Sequence, residues 1–229
     1  KFKQVSLNLT EVADTNSPVS RHHFLEYLQF GGFPQVVLTE LPKNKTQILK
    51  DYYSAIIDKD IIARYGVRNA SQLRAFYMYA LSNVALPISG YQARKQLRMS
   101  QPTAGRYLEF ASEVYLFSYT RFFSYAYTKQ IKNPSKLYCV DTGLQTAMAF
   151  SFSPNNGRLF ENMVLLALRR TGDEIFYWDD AKHEVDFVVQ QGTTVSRLVN
   201  ACWELNPSSR EREINSLRAA MKKLKIMTG

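Results

Sequence analysis

The stretch from residue 89 to residue 136 constrains the fold most, because it contains two short helical patterns separated by a tight break. Residues 90–97 have the spacing of a short helix, and residues 101–114 follow with apolar side chains at intervals of three and four. Between them, Ser100 is suited to cap the second helix, and Pro102 lies in its first turn, where the missing N–H costs nothing. The sequence therefore predicts two helices joined by a short turn.

An aromatic run follows the second helix and alternates like two strands over residues 115–127. Helix, turn, helix and β-hairpin is the order of a winged helix-turn-helix, in which the second helix enters the major groove of DNA. The aromatic side chains could stack on unpaired bases, although alternating spacing is more typical of the inner face of a wing that packs on the helices. The sequence thus favours a helical, DNA-binding unit and leaves the role of its aromatic side chains open.

Positive charge is concentrated in the first half of the chain. Of the 29 Lys+Arg and 20 Asp+Glu residues, positions 1–136 hold 18 basic and 9 acidic ones, whereas positions 137–229 hold 11 of each. A surface that binds a polyanion produces such an asymmetry, although a solvated basic face or a protein-docking module without nucleic acid would also fit it. We expect contacts to DNA from Arg94, Lys95, Arg98, Gln101, Thr103 and Arg106, with Lys129 and Lys132 on the phosphates.

Composition argues against several other classes of protein. The two cysteines, Cys139 and Cys202, make no disulfide framework and lie in apolar, strand-like surroundings, so we expect free thiols and a cytoplasmic location. The three histidines show no spacing typical of a zinc site. No apolar run approaches the roughly 20 residues that cross a bilayer, so we expect no membrane partner.

Beyond residue 135 the pattern changes to alternating strands and helices, which predicts an α/β layer with a mixed sheet flanked by helices. Its predicted elements are a strand at 136–140, helices at 144–150 and 158–170, strands at 174–178, 184–190 and 197–205, and a helix at 210–223. We divide the chain into a leading segment, a helical unit and this α/β layer, at residues 1–40, 41–135 and 136–229.

Five segments of the chain, in this order, resemble one family. They read FLEYLQFGGFPQVVL, DYYSAIIDKDIIARYGVRN, SKLYCVDTGL, GRLFENMVLLALRR and EVDFVV, and together they span nearly the whole chain. They look like the C-terminal half of prokaryotic AAA-type ATPases. The resemblance implies a preceding P-loop ATPase module, whose tail is residues 1–40, then a winged-helix region, then a C-terminal domain similar to PD-(D/E)xK restriction-endonuclease folds.

A phosphate-binding loop of the form GxxxxGK[ST] does not occur in the sequence. We therefore expect no nucleotide or other cofactor on these residues. By the same resemblance, the parent protein would bind ATP and Mg²⁺, and it would oligomerise through its ATPase module.

The resemblance also implies a nuclease-like site in the α/β layer. Glu161 matches the acid on the first core helix of that fold, and Asp186 matches the aspartate at a strand end, so these two would hold Mg²⁺. The third part of the site departs from the family pattern. Cys202 stands at its acid position and Glu204 at its lysine position.

The missing lysine leaves three interpretations of this site. In the first, Glu161, Asp186 and Glu204 are a degenerate remnant of the fold. In the second, a lysine from elsewhere, such as Lys182 or Lys222, completes a metal-dependent nuclease, and in the third the acids bind a metal without hydrolysis. The first interpretation is favoured, and Mg²⁺ is expected only if the site is active.

Overall fold

The computed structural model describes residues 18–88, 90–148 and 155–226. The helices in these ranges are α1 (Pro18–Phe30), α2 (Pro34–Val37), α3 (Pro42–Ala55), a π-helix (Ile56–Ala63) that continues α3, α4 (Ala70–Ser82), α5 (Gly90–Leu97), α6 (Gln101–Glu113), α7 (Tyr127–Lys132), α8 (Thr142–Met148), α9 (Asn156–Arg169) and α10 (Pro207–Leu224). The strands are β1 (Pro87–Ile88), β2 (Phe117–Phe122), β3 (Ser135–Cys139), β4 (Glu174–Asp179), β5 (Glu184–Gln191) and β6 (Thr194–Val199). None of the described helices combines the length and apolar character needed to cross a membrane.

The six strands form one mixed, open sheet in the order β1-β3-β2-β4-β5-β6. Only β2 and β4 are parallel among the neighbouring pairs, and the others are antiparallel. The predicted mixed α/β class is therefore confirmed. This sheet takes strands from both sides of the division predicted at residue 135, and one hydrophobic cluster reaches from Val36 on α2 to Val189 on β5. The helical unit and the α/β layer thus share a sheet and a core.

Helices cover both faces of this sheet. One face and the helices α3, α4, α6, α8 and α9 bury the larger cluster. The opposite face of β4 and β5 packs on α10, because alternate side chains of a strand point to opposite faces. The residues of this second cluster are Phe123, Phe176, Trp178, Val185, Val188, Val195, Ala220 and Leu224.

The aromatic run at 115–127 does not form the two paired strands that its spacing predicts. It forms the single strand β2, and helix α7 begins at its end. β2 pairs with β3, on the far side of α7, so there is no hairpin within the run. The chain turns because the backbone N–H of Ala126 bonds to the Ser124 hydroxyl and the Gln130 side chain bonds to the Ser124 carbonyl. Local polar contacts therefore overrode the alternating pattern.

The last predicted strand is also shorter than expected. β6 ends at Val199, so residues 200–205 of the predicted strand lie in a loop. The reason is a change of hydrogen-bond partner after Val199. The backbone N–H of Ala201 bonds to the carboxylate of Asp186 at 2.8 Å, where a strand would bond to a neighbouring backbone.

A buried aspartate connects α1 to α8. The Asp141 carboxylate accepts backbone hydrogen bonds from Gly32, Gly143 and Leu144 at 2.8, 2.8 and 3.2 Å. Burial raises the pKa of this carboxyl above its ordinary value, although the three N–H groups oppose that rise. Gly31 packs so closely on the same carboxylate that any side chain there would overlap it. The FGGFP and VDTG segments are therefore two halves of one structural contact.

Candidate functional site

A buried lysine lies among three carboxylates where β3, β5 and α9 meet. Lys136 is 2% exposed, and its Nζ lies 3.0 Å from Glu161, 2.6 Å from Glu184 and 3.5 Å from Asp186. The Tyr138 hydroxyl donates a 2.7 Å hydrogen bond to the Glu161 oxygen that also contacts Lys136. We call these five residues the Lys136 cluster.

The sequence around the cluster places β3 against α9. Lys136 and Tyr138 are two apart on β3, so their side chains share one face of the strand. On α9, the buried Asn162 accepts from the Cys139 N–H at 3.0 Å and donates to the Cys139 carbonyl at 3.1 Å. This paired bond fixes the register of α9 on β3, and it brings Glu161 over the lysine.

Asp186 is held by the loop that follows β6. One of its carboxylate oxygens accepts the Ala201 N–H, and its own N–H donates to the Asn200 side chain at 3.1 Å. Asn200 in turn donates to Glu213 on α10 at 2.6 Å. The other oxygen of Asp186 therefore points to Lys136 from a fixed position.

Burial and neighbouring charges shift the pKa values of Lys136, Glu161 and Asp186. Burial raises the pKa of Asp186 to about 7, and the charge of Glu161 adds to that rise, against the opposing charge of Lys136. Burial also raises the pKa of Glu161, whereas Lys136 and the Tyr138 hydroxyl bond act to lower it. For Lys136, burial would lower the pKa, but the charges of Glu161, Asp186 and Glu184 outweigh burial and raise it. The lysine therefore stays charged and partly neutralises a site that is rich in carboxylates.

The cluster does not present its acids as a ready metal site. Within the residues the structure describes, no three Asp, Glu, His or Cys side chains are grouped so that they could hold one metal ion. The Lys136 ammonium contacts both Glu161 and Asp186, the two expected Mg²⁺ ligands, and so supplies the positive charge between them. A divalent cation would have to compete with this ammonium, so the residues as arranged do not fit a resident Mg²⁺.

The structure brings two of the three predicted nuclease-site acids together. Glu161 and Asp186 meet in the Lys136 cluster, but Glu204 is exposed in the loop after β6, and its carboxylate makes no ion pair in the described part of the chain. Cys202 lies in the same loop and donates through its thiol to the Glu204 carbonyl. Lys182 and Lys222, the candidates for the missing lysine, are both exposed and bind neither acid.

Sequence reasoning missed Lys136 and Glu184. Lys136 counted toward the positive charge of the first half, yet it is buried and adds nothing to a surface. A signal was present, because Lys136 begins the strand predicted at 136–140, whose other residues are apolar, and a buried lysine requires an acidic partner. Glu184 is two residues before Asp186, so strand geometry alone predicts that both acids lie on one face.

The predicted DNA contacts lie around the turn between α5 and α6. Lys95, Arg98, Gln101 and Arg106 are all exposed. Arg98 adopts a left-handed backbone conformation with φ of 52°, which ends α5 and starts the turn. In the described chain, none of these cations forms an ion pair.

The other predicted contacts are less uniform. The Ser100 hydroxyl caps α6 by accepting from the Thr103 N–H at 3.2 Å, as predicted, and it also pairs with the Thr103 hydroxyl at 2.8 Å. Thr103 is half-buried, and its hydroxyl already has a hydrogen-bond partner. Lys129 and Lys132 are exposed on α7. The side chain of Arg94 lies outside the part of the chain that the structure describes.

Comparisons with known proteins give a family but no activity. Residues 21–155 match the domain of unknown function DUF8612, and residues 156–225 match the domain of unknown function DUF4143. An uncharacterized protein of Methanocaldococcus jannaschii is 35% identical over 210 residues, which are 88% of this chain and 46% of that protein. An uncharacterized protein of Haemophilus influenzae is 24% identical over 205 residues, which are 87% of this chain and 51% of that protein.

The chain thus spans about half the length of the curated relatives it matches. No solved structure gives a significant match. The first family match covers more than half of the chain, including most of α1, the helices α2 through α8 and the strands β1, β2 and β3. On that match, the chain belongs to the family defined by the domain of unknown function DUF8612.

Proposed function

We propose that this chain is the DNA-binding C-terminal part of a AAA-type ATPase, in which α5 and α6 form the helix-turn-helix of a winged-helix unit. The observation that carries the proposal is the exposure of Arg98 and Arg106 without acidic partners in the described chain. A cation that is not neutralised within the protein keeps its charge for a phosphate. The segment β2-α7-β3 follows α6 in the chain position of a wing.

The distribution of charge along α6 favours contact through its N-terminal end. Gln101 and Arg106 lie in the first two turns, whereas Glu109 and Glu113 are exposed further along and would repel phosphates. Recognition helices contact base edges mainly through their N-terminal residues. A glutamine amide can pair with adenine, and an arginine with guanine or phosphate. Gln101 is thus assigned to bases, Arg106 to phosphate, and Lys95 and Arg98 to phosphates or guanine.

Titration of labelled duplex DNA by fluorescence polarisation tests this proposal. Binding is expected to weaken steeply with salt, by roughly 0.9 in the logarithmic slope for each phosphate contacted. The double variant Arg98→Ala/Arg106→Ala should lose at least about tenfold in affinity and flatten that slope. The matched control is Lys43→Ala/Lys50→Ala, which removes two exposed cations from α3.

An affinity for DNA that does not change with salt concentration, or an equal loss of affinity in both double variants, would contradict a DNA role for α5 and α6. Unchanged partner capture after charge reversal at Arg98 and Arg106, with no DNA binding, would instead favour a protein-docking module.

The ATPase part of the proposal concerns the parent protein. DUF4143, which matches residues 156–225, is commonly found with AAA ATPases. The relatives are about twice as long as the matched region, which leaves room for a P-loop module. ATP and Mg²⁺ binding, and oligomerisation, are assigned to that module. The cytoplasmic location expected from two free thiols stays a prediction.

A metal-dependent nuclease is the second candidate, and it rests on the Lys136 cluster. The sequence motif lacks a lysine beside its acids, but the fold brings Lys136 from β3 to Glu161 on α9 and Asp186 on β5. Cleavage would require Lys136 to release Glu161 and Asp186 to a cation, since its ammonium contacts both.

Incubation of supercoiled plasmid with the protein and Mg²⁺ or Mn²⁺ tests this second candidate. Nicking that disappears in Asp186→Asn and persists in Glu211→Gln, an exposed acid on α10, would establish it. Equal nicking by wild type and Asp186→Asn indicates a contaminating nuclease, and no nicking leaves the cluster a structural remnant.

A further inference from the structure

The end of α10 and the segment around α7 carry exposed basic side chains on elements other than α5 and α6. Neither residues 114–140 nor residues 214–229 contain a single Asp or Glu. The exposed cations of these two segments that we group here are Arg121, Lys129, Lys132, Lys222, Lys223 and Lys225. In the described chain, none of the six forms an ion pair. We call them, with Tyr125 and Tyr127, the α7–α10 surface.

Direct contacts hold the two segments of this surface together. The Tyr125 hydroxyl donates to the Leu224 carbonyl at the end of α10, at 3.1 Å. Phe123 and Leu224 lie in the same buried cluster. Because Phe123 also contacts the edge of the Tyr125 ring, at 5.3 Å between centroids, the tyrosine has a fixed position beside the lysines of α10.

The aromatic groups of this surface face solvent. Tyr125 is 69% exposed and Tyr127 is 65% exposed. Helix α7 buries none of its residues, and its exposed Ile131 lies four positions after Tyr127, on the same side of the helix. An apolar, aromatic helix face among unpaired lysines matches a ligand that offers flat apolar groups and negative charge together.

We propose that the α7–α10 surface binds single-stranded nucleic acid. The lysines of the surface contact the phosphates along the strand, and unpaired bases stack on Tyr127 and on the exposed side of Tyr125. Duplex DNA fits this surface less well, because its bases are already stacked and their faces are covered. The inference rests on the proposed function in that the partner is again nucleic acid. The two sites share Lys129 and Lys132 of α7, and the other residues of the α7–α10 surface belong to this inference alone.

Polarisation titrations with labelled oligothymidylate, and with a duplex of equal length, test the inference. Tyr127→Ala should weaken oligothymidylate binding roughly tenfold, because one base stack is lost, and should leave duplex binding nearly unchanged. The matched control Tyr115→Ala removes a tyrosine that is 79% exposed outside the surface, and it should change neither.

A charge series separates this surface from α5 and α6. Lys129→Gln/Lys132→Gln and Lys222→Gln/Lys223→Gln should each lower the salt slope for oligothymidylate by about 1.4, at about 0.7 per phosphate contact. Lys43→Gln/Lys50→Gln is the control.

If only Arg98→Ala/Arg106→Ala weakens oligothymidylate binding, the inference fails while the proposed function stands. If the protein does not bind the duplex, but Tyr127→Ala and the two lysine double variants weaken oligothymidylate binding, the inference is supported and the proposed function fails. Sedimentation with anionic phosphatidylserine vesicles, without oligothymidylate binding, would overturn it.

Discussion

The Lys136 ammonium lies 3.0 Å from the Glu161 carboxylate, although the two residues are 25 positions apart in the sequence. The contact joins strand β3 to helix α9. Both groups are mostly removed from water, with side-chain exposures of 2% and 13%. A charge that loses its partner in such a place has no solvent to replace it. The stability of the fold therefore depends on keeping this charge set balanced.

Removing the lysine charge should destabilise the protein strongly. Lys136→Met keeps the length and apolar stem of the side chain but leaves Glu161 and Asp186 without their cation. The free energy of unfolding at neutral pH should fall by roughly 3–5 kcal/mol, as for other buried ion pairs that lose one partner. Urea denaturation followed by circular dichroism measures this change.

Two further variants show whether charge is the cause. Lys182→Met removes an exposed lysine from the turn before β5 and should change stability by less than about 0.5 kcal/mol. Adding Asp186→Asn to Lys136→Met should restore part of the loss, because one buried charge is then absent. A Lys136→Met protein as stable as wild type would contradict the charge argument.

The raised pKa of Asp186 makes stability depend on pH in a defined direction. The carboxyl titrates at about 7 in the folded protein, mainly because it is buried, against an ordinary value of 3.8. Since the folded state binds this proton more tightly, its stabilisation is complete below about pH 4 and is lost as the pH rises through about 7. The unfolding free energy of wild type relative to Asp186→Asn should fall by roughly 2–4 kcal/mol between pH 4 and pH 8.

Urea titrations of both proteins at several pH values measure this difference. A difference that stays constant across that range would show that Asp186 is ionised throughout, held so by Lys136.

The glycine beside Asp141 should tolerate no side chain. Gly31 has φ of 74°, and a Cβ there would overlap the Asp141 carboxylate, so Gly31→Ala suffers both backbone strain and a steric clash. Gly172 has φ of 77° with no atom near its Cβ position, so Gly172→Ala reports the backbone strain alone. We expect about 1–2 kcal/mol of lost stability for Gly172→Ala, and clearly more for Gly31→Ala.

Thermal unfolding of the two alanine variants tests this contrast. Equal losses would mean that the carboxylate moves aside without cost, and that the contact between α1 and α8 is not rigid.

The sequence predicted those features whose causes are local. The structure places α5 at Gly90–Leu97, as predicted, and Ser100 caps α6, because helix spacing and capping depend on neighbours within a few residues. The strand containing Lys136 was also found from its apolar pattern. Periodicity alone does not identify the ion-pair partners of that lysine, because Glu161 and Asp186 lie on α9 and β5, far from it in the chain.

The incorrect strand predictions have the same origin. The aromatic run kept an alternating pattern past Phe122, but Phe123 is buried against α10 while Tyr125 faces solvent beside the end of that helix. After Val199, the Asp186 carboxylate accepts the Ala201 N–H and the Asn200 side chain accepts the Asp186 N–H, in place of the backbone bonds of a longer strand. Neither contact is visible from spacing along the chain.

The different roles proposed for Gln101 and Arg106 on α6 give a further prediction. Arg106 is exposed beyond the first turn and is assigned to phosphate, whereas Gln101 is exposed at the start of the helix and is assigned to bases. Arg106→Ala should weaken binding to all duplexes about equally and reduce the salt slope by about 1. Gln101→Ala should leave that slope unchanged.

Selection from a pool of randomised duplexes, followed by titration of preferred and disfavoured sequences, distinguishes the two effects. Wild type should prefer some sequences, and Gln101→Ala should narrow the spread by about 1–3 kcal/mol, because one bidentate base contact is worth that much discrimination. Ser112→Ala is the matched control, since it alters an exposed, uncharged side chain of the same helix outside its N-terminal end. If Gln101→Ala changes the salt slope while Arg106→Ala changes sequence preference, the two roles are exchanged, and α6 lies on DNA in a different orientation from the one proposed.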